Sequence, residues 1–390
     1  FASLLDFIDD TQGRREFNTH IRLDDGLRAK SSFAEAQSRW STLDEFFDVI
    51  GKALKAVTKA LKKLDTTRIP NALDFVISTS SAAEYFEKVR AQLHQIMQEP
   101  ASNTIYWITA SQNNPNPVLR SAPLHVGPIV EAYLWHKKRS VVLTSATLRT
   151  QGNFDYIKER LYLDVSRTLE LETTFDYRKS TLLYLPNDIP EPTDRQGYQH
   201  AVEKGIIELA AALNGRVLVL FTSFSQLRQT SQVVTPRLAL GNFTVYDQSV
   251  GSSRQSLIEG FTNAEKAVLM GTRSFWEGID IPGAALSAVI MVRLPFAVPS
   301  DPVFAARSDT YPESFRNYAV PDAILRFRQG FGRLIRSSSD RGVVTIFDSR
   351  VINKGYGTQF LDALPDCTSK TGALADLPKA ATNWIDGKGL

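Results

Sequence analysis

The sequence of 390 residues has one cysteine, almost no net charge and no long apolar run, and each of these shortages excludes a class of protein. The single Cys367 rules out an internal disulfide, a cysteine-based zinc site and a four-thiolate iron–sulfur cluster within this chain, so we expect no metal site here. The formal net charge is +3, so any nucleic-acid-binding surface must be a local cluster. Without a run of about eighteen apolar residues or the pattern of a signal peptide, we expect a cytoplasmic protein that does not enter a membrane.

The first hundred residues have the apolar spacing of a helical hairpin. From Leu43 the apolar residues alternate at spacings of four and three, which predicts a helix that begins at the capping pattern of residues 42–45. The same capping pattern at residues 81–84 predicts the start of a second helix, which would end before Pro100. Two such helices with a short connection predict an antiparallel pair.

From residue 103 onward, short runs of Val, Ile and Leu alternate with helical patterns. The predicted strands are residues 104–109, 140–143, 216–221, 267–270, 286–293 and 342–347. Runs of this kind, bounded by glycine and separated by helices, predict an α/β fold with a buried parallel sheet. Ligands of such sheets bind at the carboxyl ends of the strands, so the residues that follow each run are the candidates for a site.

The cationic stretch QGFGRLIR is predicted to belong to a helix over residues 322–336. On that helix Gln329, Arg333 and Arg336 would lie on one side, opposite a buried apolar stripe. Gly332 would cost about 1 kcal/mol relative to alanine in mid-helix, which predicts that something bulky or charged approaches it closely. Two guanidinium groups a turn apart suit a phosphate chain, and a solvated basic face is the alternative.

Three predicted strands run into loops that are rich in hydroxyl groups. Their polar residues are Thr144, Ser145 and Thr147; Thr222, Ser223 and Ser225; and Thr272, Arg273, Ser274, Trp276, Glu277 and Asp280. Hydroxyls and guanidinium groups bind phosphate, a Trp ring can stack on a base, and carboxylates can accept from ribose hydroxyls or from a partner arginine. Taken singly, each loop could equally be a polar cap, with a buried Trp in the third. Their convergence with the arginine stretch favours a site for nucleotide or nucleic acid.

The order of these motifs resembles that of superfamily 2 helicases. LTSATL, VLFTSFSQL, GTRSFWEGIDIPG and QGFGRLIRSSSDRG look like motifs III, IV, V and VI, and they are most similar to the DinG type in the XPD/DinG branch of iron–sulfur helicases. The resemblance covers about residues 103–370. It implies a RecA-like helicase domain 2 over residues 166–390, the end of helicase domain 1 over residues 103–165, and a helical arch-like domain over residues 1–102.

The same resemblance implies a role for each candidate residue. The catalytic group is Arg333, Arg336 and Gln329; the ATP-binding group is Glu277, Gly278 and Asp280; the DNA-binding group is Thr222, Ser223, Thr272, Arg273, Ser274 and Trp276; and the coupling pair is Ser145 and Thr147. Arg333 and Arg336 would face the γ-phosphate. In related phosphoryl-transfer enzymes an arginine finger accelerates the reaction by about 10³–10⁵.

Two parts that the family needs do not occur in the sequence, the GxxxxGK[ST] loop and the DEAH box. We therefore expect the chain to be the carboxyl-terminal part of a longer helicase, inactive alone, whose amino-terminal part holds ATP, Mg²⁺ and a 4Fe-4S cluster. The expected partners are that amino-terminal part and single-stranded or forked DNA, with 5′-3′ translocation implied by the resemblance. The alternative is an ATP-independent module that binds single-stranded nucleic acid or docks a partner.

Overall fold

The computed structural model divides the chain into two compact units. It describes residues 2–12, 19–63, 71–111, 114–150, 152–171, 173–278, 280–281 and 283–388. Unit 1 comprises Phe1–Val126 and Val298–Thr310, and unit 2 comprises Gly127–Ala297 and Tyr311–Leu390. The domain boundaries after residues 102 and 165 that the resemblance implies stay predictions.

Unit 1 combines a helical hairpin with a small antiparallel sheet. Its helices are α1 (Ala2–Gln12), α2 (Asp25–Arg28), α3 (Ser31–Leu61), α4 (Ala72–Met97) and α12 (Pro302–Ser308). Its strands are β1 (Thr19–Arg22), β2 (Thr104–Ser111) and β3 (Asn114–Pro123), in the order β1-β2-β3. The predicted strand at residues 104–109 is present as β2, but the expectation that it joins a parallel sheet is wrong. Its connection to β3 is too short for a crossover, so the two strands are antiparallel.

The hairpin of α3 and α4 is confirmed, although both helices begin earlier than the capping patterns predicted. Thr42 and Ser81 lie inside the helices rather than at their starts. The reason for α3 is tertiary packing, because its first turns bury Phe33 and Trp40 in the core of unit 1. Burial of an apolar face can stabilise helical turns that lie before the capping pattern in the sequence.

An ion cluster joins the two helices of the hairpin. The Arg90 guanidinium donates from Nε to Oδ1 of Asp44 at 2.7 Å and from Nη1 to Oδ1 of Asp48 at 2.8 Å. The hydrogen bond from Arg90 holds the pKa of Asp44 below its usual range. Phe47 and Phe86 pack beside this cluster with ring centroids 5.2 Å apart, which fixes the antiparallel pairing of α3 and α4.

Unit 2 contains a seven-stranded parallel sheet in the order β10-β4-β9-β8-β5-β7-β6. The strands are β4 (Thr181–Pro186), β5 (Val217–Leu220), β6 (Thr244–Asp247), β7 (Ala267–Gly271), β8 (Ala288–Met291), β9 (Gly342–Ile346) and β10 (Thr368–Gly372). Two separate apolar clusters are built on its strands, one with α13 (Val320–Phe331) and one with α8 (Arg195–Ala212). The predicted α/β fold with a buried parallel sheet is therefore confirmed.

The other helices of unit 2 surround this sheet or precede it. They are α5 (Gly127–Val130), α6 (Asp155–Leu161), α7 (Tyr177–Ser180), α9 (Phe224–Ala239), α10 (Arg254–Asn263), α11 (Arg273–Trp276), α14 (Arg350–Asn353), α15 (Gly357–Asp362) and α16 (Leu377–Ile385). Two π-helical turns, Glu131–Trp135 and Phe315–Ala319, continue α5 and lead into α13.

The strands β7, β5, β8 and β9 end at the same level in the sheet. In the register of the sheet, Leu220 lies opposite Gly271 on one side and opposite Met291 on the other, and Met291 lies opposite Ile346. We call the edge formed by these strand ends the carboxyl edge. The residues that follow the four strands emerge together there, about 4.8 Å apart from strand to strand.

The predicted strand at residues 140–143 is not formed. Residues 140–145 have no helix or strand, and Val142 is 87% exposed. A strand requires a neighbour for its backbone N–H and C=O groups, and among the residues that the structure describes none pairs with this segment. Its apolar residues alone were a misleading signal.

Candidate functional site

The β7 loop, residues 272–278, is fixed by a residue that the sequence analysis missed. Oε1 of Gln248 accepts from the backbone N of Thr272 at 2.9 Å and from its Oγ1 at 2.7 Å. Nε2 of Gln248 donates to Oγ of Ser274 at 3.1 Å. Gln248 follows β6, a strand of four residues that is partly exposed and carries no clear sequence signal. One amide side chain therefore orients two of the predicted DNA-binding hydroxyls.

Arg254 holds the other side of the same loop. Its Nη1 donates to the backbone oxygen of Ser274 and its Nη2 to that of Gly278, both at 3.1 Å. Gly278 has a φ of 66°, in the left-handed region that favours glycine, so the loop turns sharply there. Glu277, within the loop, and Asp280, just beyond it, are both exposed.

The expectation that Trp276 offers a stacking face is wrong in this structure. Trp276 is 2% exposed, and its Nε1 donates to the backbone oxygen of Phe221 at 3.0 Å. Its ring lies against Gly330, where a Cβ would come within 2.8 Å of Cε3. The indole ring therefore packs between α13 and the carboxyl edge. The structure supports the alternative in which this loop is a polar cap with a buried Trp.

The close approach predicted at Gly332 occurs instead at Gly330. A Cβ at Gly332 would meet the backbone oxygens of Arg328 and Gln329 at ordinary distances of 3.4 and 3.7 Å. The helix also ends here, at Phe331 rather than at Arg336 as predicted. Its last turn tightens, since the N–H of Arg333 bonds to the oxygen of Gly330 at 3.2 Å in an i→i+3 pattern. The apolar stripe of the helix is buried as predicted.

Arg333 and Arg336 thus lie in the turns after α13. Nε of Arg336 is 3.5 Å from Oδ1 of Asp280, and Nε of Arg333 donates to the backbone oxygen of Gln329 at 3.0 Å. Burial lowers the pKa of the Arg333 guanidinium, and repulsion from Arg336 lowers it further, while Asp280 and Glu277 act in the opposite direction. The structure therefore brings the motif VI arginines and the acidic residues of motif V into one cluster.

Asp340 fixes the backbone that carries Arg336. Its Oδ2 accepts from the backbone N of Arg336 at 2.7 Å and from that of Ser337 at 2.8 Å. Burial alone would raise the pKa of Asp340, but the hydrogen bonds from Ser337 and Arg336 outweigh it, so the pKa lies below its usual range. Gly283 lies directly against this carboxylate, because a Cβ there would come within 1.9 Å of Oδ1.

The β5 loop, Thr222 and Ser223, lies beside the β7 loop. The backbone N of Phe221 bonds to the oxygen of Gly271 at 2.8 Å, so the two loops leave the sheet side by side. Oγ of Ser223 caps α9 by accepting from the backbone N of Gln226 at 3.3 Å. The hydroxyls of motifs IV and V therefore share the carboxyl edge.

Ser145 and Thr147 are not brought to that edge by any contact seen in the described part of the chain. Their hydroxyls bond to each other at 3.0 Å, and the backbone N of Thr147 donates to Oγ of Ser145 at 3.1 Å. The segment is instead linked to α13, since Nη1 of Arg328 donates to the backbone oxygen of Arg149. Arg149 also forms an ion pair with Glu170.

The described residues do not fit an iron–sulfur cluster or another metal centre. Among them no group of three or more His, Cys, Asp or Glu side chains could hold a metal ion. The one cysteine, Cys367, is half-buried, and burial raises the pKa of its thiol to about 11. In the same residues, no helix has the length and apolarity that crossing a bilayer requires.

Comparison with protein families and curated proteins agrees with this geometry. Residues 206–367 match the family described as helicase C-terminal domain. The chain is 36% identical over 252 residues to the 3′-5′ exonuclease DinG of Bacillus subtilis, covering 62% of this chain and 27% of that protein. It is 29% identical over 350 residues to the ATP-dependent DNA helicase YoaA of Haemophilus influenzae, covering 89% of this chain and 52% of that protein.

Two further similarities extend the comparison. The ATP-dependent helicase DinG of Mycobacterium tuberculosis is 34% identical over 284 residues, covering 70% of this chain and 42% of that protein. The structure of apo XPD superposes with a TM-score of 0.50 at 17% identity, covering 80% of this chain and 63% of that chain, which supports the fold. The chain spans between 27% and 52% of the length of the curated relatives named here.

Proposed function

We propose that the chain belongs to the DinG-type helicases and that it supplies the second RecA-like domain of an ATP-driven DNA translocase. The observation that carries this proposal is the cluster after α13. Two arginines lie there beside an exposed acidic pair, on the sheet whose carboxyl edge presents the hydroxyls of motifs IV and V. A nucleotide site and a nucleic-acid site on one rigid sheet are what coupled hydrolysis and translocation require.

In this proposal Arg333 and Arg336 stabilise the charge that develops on the γ-phosphate. Guanidinium groups are suited to this because each can donate two parallel hydrogen bonds to phosphate oxygens. Arg336 is paired with Asp280, and that carboxylate partly offsets the repulsion between the two neighbouring cations. Gln329, Glu277 and Gly278 would complete the nucleotide side.

The rest of the catalytic site would come from outside this sequence. We propose that a phosphate-binding loop, the acidic residues that hold Mg²⁺, and the cysteines of an iron–sulfur cluster belong to an amino-terminal part of the same protein. Those elements are absent from the 390 residues, so this chain alone would not hydrolyse ATP. The substrate would be single-stranded or forked DNA, and the direction of movement 5′-3′.

The proposal is tested by Arg336→Ala in the full-length protein. We expect DNA-stimulated ATP turnover to fall by about 10³, the lower end of the range for an arginine finger. The matched control is Arg237→Ala, which removes an exposed arginine from the last turn of α9. Turnover is measured by phosphate release with and without oligo(dT), and thermal unfolding verifies that both variants fold.

Unchanged turnover in Arg336→Ala would remove the finger assignment. If the full-length protein itself hydrolysed no ATP but bound single-stranded DNA, the ATP-independent binding module would be the correct alternative. Turnover by the 390-residue chain alone would contradict the division of the site between two parts of a protein.

A further inference from the structure

Arg293 occupies a position on the carboxyl edge that none of the helicase motifs includes. It follows β8 by two residues, just as Thr222 follows β5 and Asp348 follows β9. The backbone N of Val292 bonds to the oxygen of Leu220 at 3.0 Å, and that of Phe347 bonds to the oxygen of Met291 at 2.9 Å. The segments that follow β5, β8 and β9 therefore remain side by side where they leave the sheet. Arg293 therefore lies between the motif IV hydroxyls and Asp348.

The Arg293 side chain is held in place by an aromatic ring. Its guanidinium carbon lies 5.0 Å from the centroid of Tyr198 on α8. The Tyr198 hydroxyl is itself fixed, because it donates to the backbone oxygen of Val292. A guanidinium stacked on a fixed ring loses little conformational entropy when it binds an anion. Its Nε is buried without a hydrogen-bond partner among the described residues.

The neighbouring carboxylate, Asp348, is paired with a different arginine. Asp348 is fully buried and accepts from Nε of Arg350 at 2.8 Å, from Nη2 of Arg350 at 2.6 Å and from the backbone N of Leu294 at 2.9 Å. Arg350 thus neutralises Asp348 in a bidentate pair. Among the residues that the structure describes, no carboxylate forms an ion pair with Arg293. It is half-buried and in line with hydroxyls that suit a phosphate backbone.

We infer that Arg293 binds the phosphodiester backbone of single-stranded DNA and continues the motif IV and V track across β8. This inference rests on the proposed function. It assigns a DNA contact to a residue between motifs V and VI. The DNA strand would run along the carboxyl edge from Thr272 after β7, past Thr222 after β5, to Arg293 after β8. The contact is to phosphate, so it carries no base preference.

The inference is tested with the 390-residue chain and fluorescein-labelled oligo(dT), by fluorescence anisotropy across a range of NaCl concentrations. Each phosphate contact to a single strand contributes about 0.7 to the slope of log K against log salt, which corresponds to about fivefold in affinity at 0.1 M relative to 1 M. We expect Arg293→Gln to lose about fivefold at 0.1 M NaCl and to reduce the slope by about 0.7. Arg293→Lys should keep the slope, because the charge is retained.

Arg341→Gln is the matched control. Arg341 also lies over an aromatic ring, 4.5 Å from the centroid of Trp384, but it precedes β9 at the opposite edge of the same sheet. Its binding curve should match that of the unmodified chain. If Arg293→Lys lost as much as Arg293→Gln, or if neither variant changed the slope, the phosphate contact would be overturned.

The Thr272→Val variant separates this failure from failure of the proposed function. If Thr272→Val weakens binding while Arg293→Gln does not, the carboxyl edge binds DNA and the Arg293 assignment alone is wrong. If the unmodified chain binds no oligo(dT) at any salt concentration, the DNA-binding edge itself is wrong and the inference fails with it. Thermal unfolding of each variant shows whether a loss of binding reflects a loss of fold.

Discussion

Two hydroxyl-rich segments of unit 2 have similar sequences and very different surroundings. Residues 144–147 and residues 272–274 both follow an apolar run that predicts a buried strand. The second run is β7, with β5 and β6 on its two sides, and its loop is held by Gln248 and Arg254. The first run, residues 140–143, is unpaired in the described structure and exposed.

The difference shows that a strand end becomes a site only when the strand has neighbours. Thr272 is oriented by the register of three strands and by an amide that arrives from the end of β6. Ser145 and Thr147 bond to each other, which is what short polar side chains do when no tertiary partner fixes them. A motif in the sequence therefore identifies the functional groups that a segment carries. It does not show whether tertiary contacts hold that segment in place.

The largest expected effect lies in backbone hydrogen exchange. Amides of β7 should exchange only through global unfolding, which costs about 5–15 kcal/mol in ordinary domains, whereas amides of residues 141–145 should exchange at nearly the rate of an unstructured peptide. Exchange measured by mass spectrometry with short peptides resolves both segments in one sample. Strong protection of residues 141–145 would show that they are paired after all, and the comparison would collapse.

The next effect concerns the two glycines at the end of α13. Gly330→Ala should destabilise unit 2 by about 1–3 kcal/mol, since the new methyl group would overlap the ring of Trp276. Gly332→Ala should be neutral or stabilising by up to about 1 kcal/mol, because its backbone is near-helical and a methyl group there would make only ordinary van der Waals contacts. Urea unfolding followed by tryptophan fluorescence measures both. If Gly332→Ala were the more destabilising of the two variants, the close approach would lie at Gly332, as the sequence predicted.

The smallest effect is expected at Gln248. Gln248→Ala should cost about 1 kcal/mol, because it removes the acceptor shared by the N–H and the hydroxyl of Thr272. The comparison variant is Gln255→Ala. Its amide bonds to Glu259 on the exposed face of α10, so the substitution should change stability by less than about 0.5 kcal/mol. Equal effects of the two variants on urea unfolding would mean that Gln248 does not hold the β7 loop.

The sequence was sufficient for four adjacent strands of the sheet in unit 2, but β4, β6 and β10 were not predicted. The continuous apolar runs of β5, β7, β8 and β9 have no amphipathic period, which is the property of strands buried on both faces, and they were predicted for that reason. The positions of motifs IV and V followed, because both come directly after such strands. The roles assigned to their residues stay predictions, apart from the stacking role of Trp276, which is wrong.

What the sequence could not supply was the set of contacts between distant segments. The end of α13 depends on a carboxylate beyond the helix, Asp340, which holds the backbone of Arg336. The burial of Trp276 depends on the gap left by Gly330. The short, partly exposed β6 and its neighbour Gln248 carry no periodic signal. Each of these contacts joins two parts of the chain. A single sequence does not indicate which residues meet.

Gly283 contributes to the site because it has no side chain. It offers no functional group, yet the space where a methyl group would stand is filled by the Asp340 carboxylate that anchors Arg336. A mutational survey scored by activity would therefore rank residue 283 alongside groups that touch a substrate. What the site requires at that position is the absence of a side chain, and a search for functional groups alone would pass over it.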